Sequence, residues 1–511
     1  MDKQNNVSEE VYNFVTKQLE ENAKLENFKF RIGQLNALYM MLKYTYGIVY
    51  ATCALGKTYI EAAYAYYTFK NATNYKTVIL ISPRLLLNQQ LYKDFLELYD
   101  FASIGVTIRN LSSDKAFDGQ TTINPLKSLI ENQTSHLLII TTPASLKLYK
   151  DNFWNCFSEE HKIDCILWDE AHKEANKELR DNCQKYAHHA YFLSATPDEK
   201  LLTYPNFGCF QYTYVEAIKD GVAVDFETYI METDKTLIGH KDIAAYHYAT
   251  IKKAFFHNKA IKPNEPSVIL ACETCVEYSD KIAEKIINDP ELKDVDVYLV
   301  VSPKKQSNVS GPKFNNIPMS KKNIVNEIHG TLDKDSIIIH VAMIQEGISC
   351  NSINGVVILG NKTDENMYQT VMRGARLNKK YNKTNFRIYY SIGEDTEEKD
   401  FLTFVKKLYN IYPNCKFHFG LNEDKKTGGK NASGGFNLTI SNKLIKVAEH
   451  KMETEWKPNY NAQRLEKEIR MRLIDEEPID VYIDYLSNMD SLIAAKMTTS
   501  DVAEICGFDN I

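Results

Sequence analysis

No stretch of this 511-residue chain reaches the roughly 18 apolar residues a membrane-spanning helix needs. The opening MDKQNNVSEEVYNF is polar and acidic and lacks the apolar core of a secretory signal. An excess of basic charge is missing too: the formal net charge is −6, so any hold on phosphate backbones must come from local basic clefts and not from a global field. The ten cysteines are scattered, and the one close pair, Cys272 and Cys275, has no second CxxC or His pair near it to complete a zinc site. That pair reads as a buried strand end. Free thiols suit a reducing compartment, so the expectation is an intracellular, soluble protein with no membrane partner. Arginine is scarce, ten of the 61 basic residues. In a chain that uses lysine wherever a point charge suffices, each arginine marks a place where a planar fork is needed.

What is present is an ordinary globular composition, 44% hydrophobic and 25% charged, in a chain long enough for two to four domains. Short apolar β-rich runs alternate with amphipathic stretches in two regions, the pattern of a parallel sheet covered by helices. In the first region GIVYA (47–51), TVILIS (77–82), HLLIITT (136–142), CILWDE (165–170) and AYFLSAT (190–196) read as strands. In the second, SVILAC (267–272), DVYLVVS (296–302), SIIIHVAM (336–343), GVVILG (355–360) and FRIYYSI (386–392) do. The expected division is an N-terminal helical extension (1–27), a first α/β domain (28–224), a linker region (225–262), a second α/β domain (263–415), and a flexible connection with a mainly helical accessory region (416–511). KKTGGKNASGG (425–435) is the connection, rich in residues that pack little.

The chemistry starts after GIVYA, where a tight loop of Thr52, Cys53, Ala54, Leu55 and Gly56 leads into a helix. Gly56 lets the backbone approach a phosphate, Lys57 reaches the outer phosphates, and Thr58 offers a hydroxyl to Mg²⁺. Ala54 fits such a loop only with a negative φ. CILWDEAH then sets Asp169 and Glu170 at the C-terminal end of a strand, the edge where open α/β sheets bind ligands. Asp169 is placed to hold Mg²⁺, and Glu170 to orient or deprotonate an attacking water. His172, two residues on, is placed to sense the end of the next strand. Gln369, Arg373 and Arg376 recur at i, i+4 and i+7, one face of a helix. Two forks there suit the charge that builds on a transferring phosphoryl group.

These blocks together resemble the superfamily 2 helicases. Asp169-Glu170-Ala171-His172 is similar to their DEAH motif, and Ser194-Ala195-Thr196 to the motif that follows. RIGQ, with Arg31 and Gln34, resembles the block that precedes the nucleotide loop in the restriction-subunit and transcription-repair groups, and SPRLLLNQQ (82–90), TTPASL (141–146), QEGISC (345–350) and QTVMRGAR (369–376) follow in the family's order. Ser349 stands where the restriction-subunit group usually carries aspartate. The resemblance implies two tandem RecA-like domains, ATP with Mg²⁺ in the cleft between them, and ATP-driven movement on nucleic acid, DNA favoured over RNA. It implies nucleotide contacts from Arg31 and Gln34, and coupling by His172, Ser194, Thr196 and Gly347. It also implies strand contacts from Pro83, Arg84, Thr141 and Thr142 that position without reading bases. Similar helicases occur in large DNA viruses, where the compartment would be host cytoplasm or nucleus. An ATP-switched clamp or sensor, and the motor subunit of a restriction-like complex, are the rival readings. The segment 436–511, with Arg464, Lys467, Arg470 and Arg472 on one helical run, is expected to engage substrate or protein partners.

Overall fold

The computed structural model describes residues 9–83, 85–113, 119–149, 151–158, 161–172, 177–195, 207–232, 242–302, 311–341, 350–360, 362–392, 398–419, 446–448, 450–452 and 454. They divide into two compact units, one running to Asp220 and one beginning at Gly221.

The first unit is built on seven parallel strands: β1 (Tyr46–Ala51), β2 (Thr77–Ile81), β3 (Val106–Leu111), β4 (His136–Thr141), β5 (Ile163–Trp168), β6 (Ala187–Ser194) and β7 (Phe207–Tyr212). Their order across the sheet is β3-β4-β2-β5-β6-β1-β7. The central strands are buried along both faces, which is why TVILI and CILW read as unbroken apolar runs and not as alternating ones. The Glu9–Glu21 helix is part of this unit. Its Val15 and Leu19 are buried, and the Leu19 carbonyl accepts the Tyr99 hydroxyl at 3.1 Å.

The second unit holds a nine-stranded sheet in the order β12-β11-β10-β13-β9-β14-β15-β8-β16. The strands are β8 (Asp225–Glu232), β9 (Val268–Glu273), β10 (Asp296–Val300), β11 (Lys313–Phe314), β12 (Ile317–Pro318), β13 (Ser336–Val341), β14 (Gly355–Ile358), β15 (Asn385–Ile392) and β16 (Lys416–Phe419). All pair in parallel except the β11–β12 hairpin on β10.

Here the expected boundaries need correcting. Residues 225–262 are not a linker, because β8 pairs along its whole length with β15, and the Ile243–Ile261 helix buries Ile251, Ala254 and Phe255 in the core of this unit. Nor does the second domain end at 415, since β16 extends the sheet beyond β8. The connection at 425–435 and the accessory segment 436–511 lie almost wholly outside the described residues.

One glycine is fixed by packing. In the Asp364–Gly374 helix, a Cβ on Gly374 would stand 2.2 Å from Cδ2 of the fully buried Phe386 on β15. Gly374→Ala should therefore destabilise the chain by about 1–3 kcal/mol through overpacking. A chemical melt of the full chain with an unshifted midpoint would show that β15 yields at this point.

Candidate ATP and nucleic-acid site

Five of the first unit's sequence blocks end on one line. The loop after β1, Pro83 after β2, Thr141 and Thr142 at the end of β4, Asp169 and Glu170 after β5, and Ser194 at the end of β6 all lie at the C-terminal edge of the same parallel sheet. In open α/β sheets that edge is the ligand-binding one.

The loop is shaped without glycine at position 54. Cys53–Leu55 forms a single 3₁₀ turn, with Ala54 in it and the Leu55 N–H donating to the Thr52 carbonyl at 3.1 Å. The left-handed conformation falls on Gly56, at φ 81° and ψ 53°, the one position of the loop where a Cβ would be strained. The helix Lys57–Lys70 starts there. Lys57 is buried to 7% exposure, its Nζ 3.4 Å from the Ala51 carbonyl, and Thr58 follows it, half-buried, in the first turn.

Arg31 and Gln34 reach this loop from the residue that caps the Ile32–Lys43 helix and from its first turn. Gln34 is buried and used at both ends. Its Oε1 accepts the Arg31 N–H at 2.9 Å, and its Nε2 donates to the Leu55 carbonyl at 3.0 Å and to Gly56 at 3.4 Å. Arg31 Nη1 donates to the Ala54 carbonyl at 3.0 Å. Three consecutive loop carbonyls are thus held by side chains, each bond contributing about 0.5–1.5 kcal/mol net.

The acidic pair follows β5. The Asp169 N–H donates to the Ile81 carbonyl at 2.8 Å, which seats the aspartate beside the end of β2. Burial pushes its carboxyl up to about 7, with the Glu170 charge adding and the Lys57 ammonium opposing. Glu170 is a non-glycine residue at φ 49°. A left-handed residue of this type costs about 1–2 kcal/mol and turns the chain sharply off the strand. His172 stands between two of the predicted groups, its Nδ1 3.5 Å from Glu170 Oε2 and 2.8 Å from Ser194 Oγ.

Other expectations fare differently. Thr141 Oγ1 donates to the Leu111 carbonyl at 2.9 Å, and Thr142 Oγ1 accepts the Ser145 N–H at 3.1 Å, both buried. Their hydroxyls are committed inside the unit and are not on offer to a strand, a correction that follows from their position at the sheet end and helix start. Pro83 is half-buried, while Arg84, Thr196 and Gly347 lie outside the described residues, as does the Cys53 side chain.

In the second unit the helix Asp364–Gly374 follows β14, capped by Thr363, whose Oγ1 accepts the Asn366 N–H at 3.2 Å. Gln369 and Arg373 are buried on it. Arg376 is not on that face, because the helix ends at Gly374. The Val224 N–H takes the Ala375 carbonyl at 2.9 Å, and Arg376 forms a backbone bridge with Ala223. The expected i, i+4, i+7 face therefore holds for two of its three members. Beneath the helix, Cys272 Sγ lies 2.8 Å from His340 Nε2. Burial lowers the His340 pKa to about 3, so that imidazole is neutral.

Two residues escaped the sequence reading. Glu61, four residues after Lys57, is fully buried, and neither carboxylate oxygen has a hydrogen-bond partner among the described residues. The available signal was a carboxylate on the apolar run YIEAAY at the helical spacing of Lys57. Lys383 is the other. Its buried Nζ donates to the carbonyls of Ile353 and Gly374, the latter at 2.6 Å, and lies 3.4 Å from that of Asn351. Burial lowers its pKa to about 7, against three acceptors that favour the ammonium form. A lysine in the polar run NKKYNKTN gave no such signal.

Two tandem units, each a parallel sheet flanked by helices, give this chain a RecA-like fold. Residues 5–199 match the family described as type III restriction enzyme, res subunit. Among solved structures, the ATP-dependent Type ISP restriction-modification enzyme LlaBIII bound to DNA is similar over 93% of this chain and 36% of its own, with a TM-score of 0.63 and 14% identity. This chain therefore spans about a third of that enzyme's length. Mss116p bound to ssRNA and AMP-PNP is similar over 99% of this chain and 88% of its own, at a TM-score of 0.51 and 14% identity. The Mycobacterium smegmatis helicase Lhr bound to ssDNA and AMP-PNP matches 78% and 50% of the respective chains, at a TM-score of 0.50 and 14% identity. No curated protein sequence matches the chain. No helix among the described residues is long and apolar enough to cross a membrane.

Proposed function

We propose that this chain is a nucleic-acid-stimulated ATPase, a helicase or translocase that couples ATP hydrolysis to movement on DNA. The observation that carries the reading is the convergence of a preshaped phosphate loop, Lys57 and the Asp169-Glu170 pair at one sheet edge. Lys57 and the N–H groups at the start of its helix hold the phosphates, and Glu170 takes the proton of the attacking water. Arg373, buried on its helix, is the candidate to supply guanidinium charge to the transferring phosphoryl group. Hard oxygen donors fit Mg²⁺, and the buried Asp169, whose Oδ1 lacks a hydrogen-bond partner among the described residues, would hold it together with Thr58. Bound there, Mg²⁺ would supply charge neutralisation to the phosphates. His172, bonded to Ser194 and beside Glu170, is the group through which a change at the phosphates reaches the end of β6.

DNA is favoured by the match to a restriction res subunit and by the likeness to LlaBIII, a DNA-bound enzyme. The same two findings favour a second reading, the motor subunit of a restriction-like complex. In either case 436–511 serves partner or substrate engagement. The test is steady-state ATP hydrolysis by the full chain on duplex, forked and single-stranded DNA and RNA. Stimulation by DNA, with the largest response defining the substrate, is the expected result. Weak turnover that no nucleic acid raises would replace the motor by an ATP-switched clamp.

A further inference from the structure

The phosphate loop and the acidic pair leave one neighbouring group without a role. Glu61 is fully buried on the Lys57–Lys70 helix, one turn beyond Lys57 and next to the fully buried Ile60, Ala62 and Ala63. The charges acting on it are Asp169, Lys57, Glu170 and Asp94, three carboxylates against one ammonium. Neither of its oxygens has a hydrogen-bond partner among the described residues, and the same is true of Asp169 Oδ1 and Glu170 Oε2. Buried polar atoms are almost always bonded, and an orphaned carboxyl is costly to keep. An apolar side chain would pack at position 61 without that cost, so the carboxyl is retained against stability.

We propose that Glu61 is a third acidic group of the Mg²⁺–nucleotide site, a positioning residue that accepts hydrogen bonds from water held by the metal. The inference rests on the ATP-site reading above and deepens it. A cation is the ligand that buried, mutually repelling carboxyls have in common, because it reverses both their repulsion and their desolvation cost. Asp169 and Thr58 supply oxygen to the metal, and Glu61 acts behind them, where partners of metal-bound groups fix orientation and raise affinity.

The test is a Mg²⁺ titration of the full chain with a fluorescent, non-hydrolysable ATP analogue, in the wild type, Glu61→Gln and Glu61→Met. The expected result is a Mg²⁺ midpoint raised roughly 10- to 100-fold in both variants, with analogue binding in EDTA unchanged. Without nucleotide, Glu61→Met should melt above the wild type, since it removes the orphaned carboxyl. An unshifted Mg²⁺ midpoint overturns the proposal, whatever the melting temperature does. Glu61→Gln, close to isosteric, keeps the test open should Glu61→Met not fold. Lys57→Ala is run alongside. If it binds the analogue as well as the wild type, the ATP-site reading has failed. If it loses binding while the Glu61 variants titrate normally, only the inference about Glu61 has.

Discussion

Glu170→Gln should bind Mg²⁺ and ATP nearly as the wild type does and hydrolyse ATP about 10²- to 10⁴-fold more slowly. The amide keeps the shape of the side chain and the backbone turn at φ 49°, so the loop, Lys57 and Asp169 stay in place. What is lost is the ability to accept a proton. Glu170 is suited to that task because its Oε2 is buried and bonded to nothing else among the described residues, with His172 Nδ1 3.5 Å away. The substitution also removes a negative charge beside Asp169, whose carboxyl Glu170 helps to push up to about 7. Asp169 should then ionise more readily, so nucleotide binding has no reason to weaken. Single-turnover hydrolysis measured beside analogue binding separates the two effects. Near-normal turnover would remove Glu170 from the mechanism.

Arg373 is expected to show an effect of similar size with a different signature. Arg373→Ala should lower the hydrolysis rate about 10³- to 10⁵-fold, as loss of an arginine finger does. Arg373→Lys should be nearly as impaired, because an ammonium cannot present the planar fork. Both expectations rest on its burial in the last turn of the Asp364–Gly374 helix, where the neighbouring Gly374 is packed against Phe386 and leaves the turn little freedom to adapt. Rates at saturating ATP and nucleic acid for the two variants decide the matter. Recovery of most of the rate by lysine would mean that Arg373 serves as a point charge.

Much of the fold could be read from strands buried on both faces, since a parallel sheet makes them unbroken apolar runs. TVILI, HLLIIT and SIIIHV are located to within a residue or two. The runs that escaped carry other signals. VTIRNL is an edge strand with its first four residues only half-buried, FGCFQY is interrupted by glycine, and KFHF is four residues long at the opposite edge of its sheet. DFETYIME belongs to a strand-like apolar stretch, VAVDFETYIME, that lies between the two regions of alternating elements, so read locally it fits a linker as well as a sheet strand. Only pairing with β15, some 160 residues away, makes it sheet. The site was legible where chemistry needs a residue type at a fixed spacing, as in Lys57-Thr58 and Asp169-Glu170. It was not legible where a distant backbone decides. The bridge between Ala223 and Arg376 draws the chain off the helix axis, and no pattern within QTVMRGAR announces it.

Lys383 joins three carbonyls from two separate stretches, those of Asn351 and Ile353 just after the QEGISC block and that of Gly374 at the end of the arginine-bearing helix. The stretch at 351–353 and the end of the arginine-bearing helix are in consequence tied through one side chain, so exchanging either alone breaks the tie. A helix transplanted from a relative that lacks the matching lysine arrives with its terminal carbonyl unanswered. The register between its arginine and the preceding block then has to be found anew.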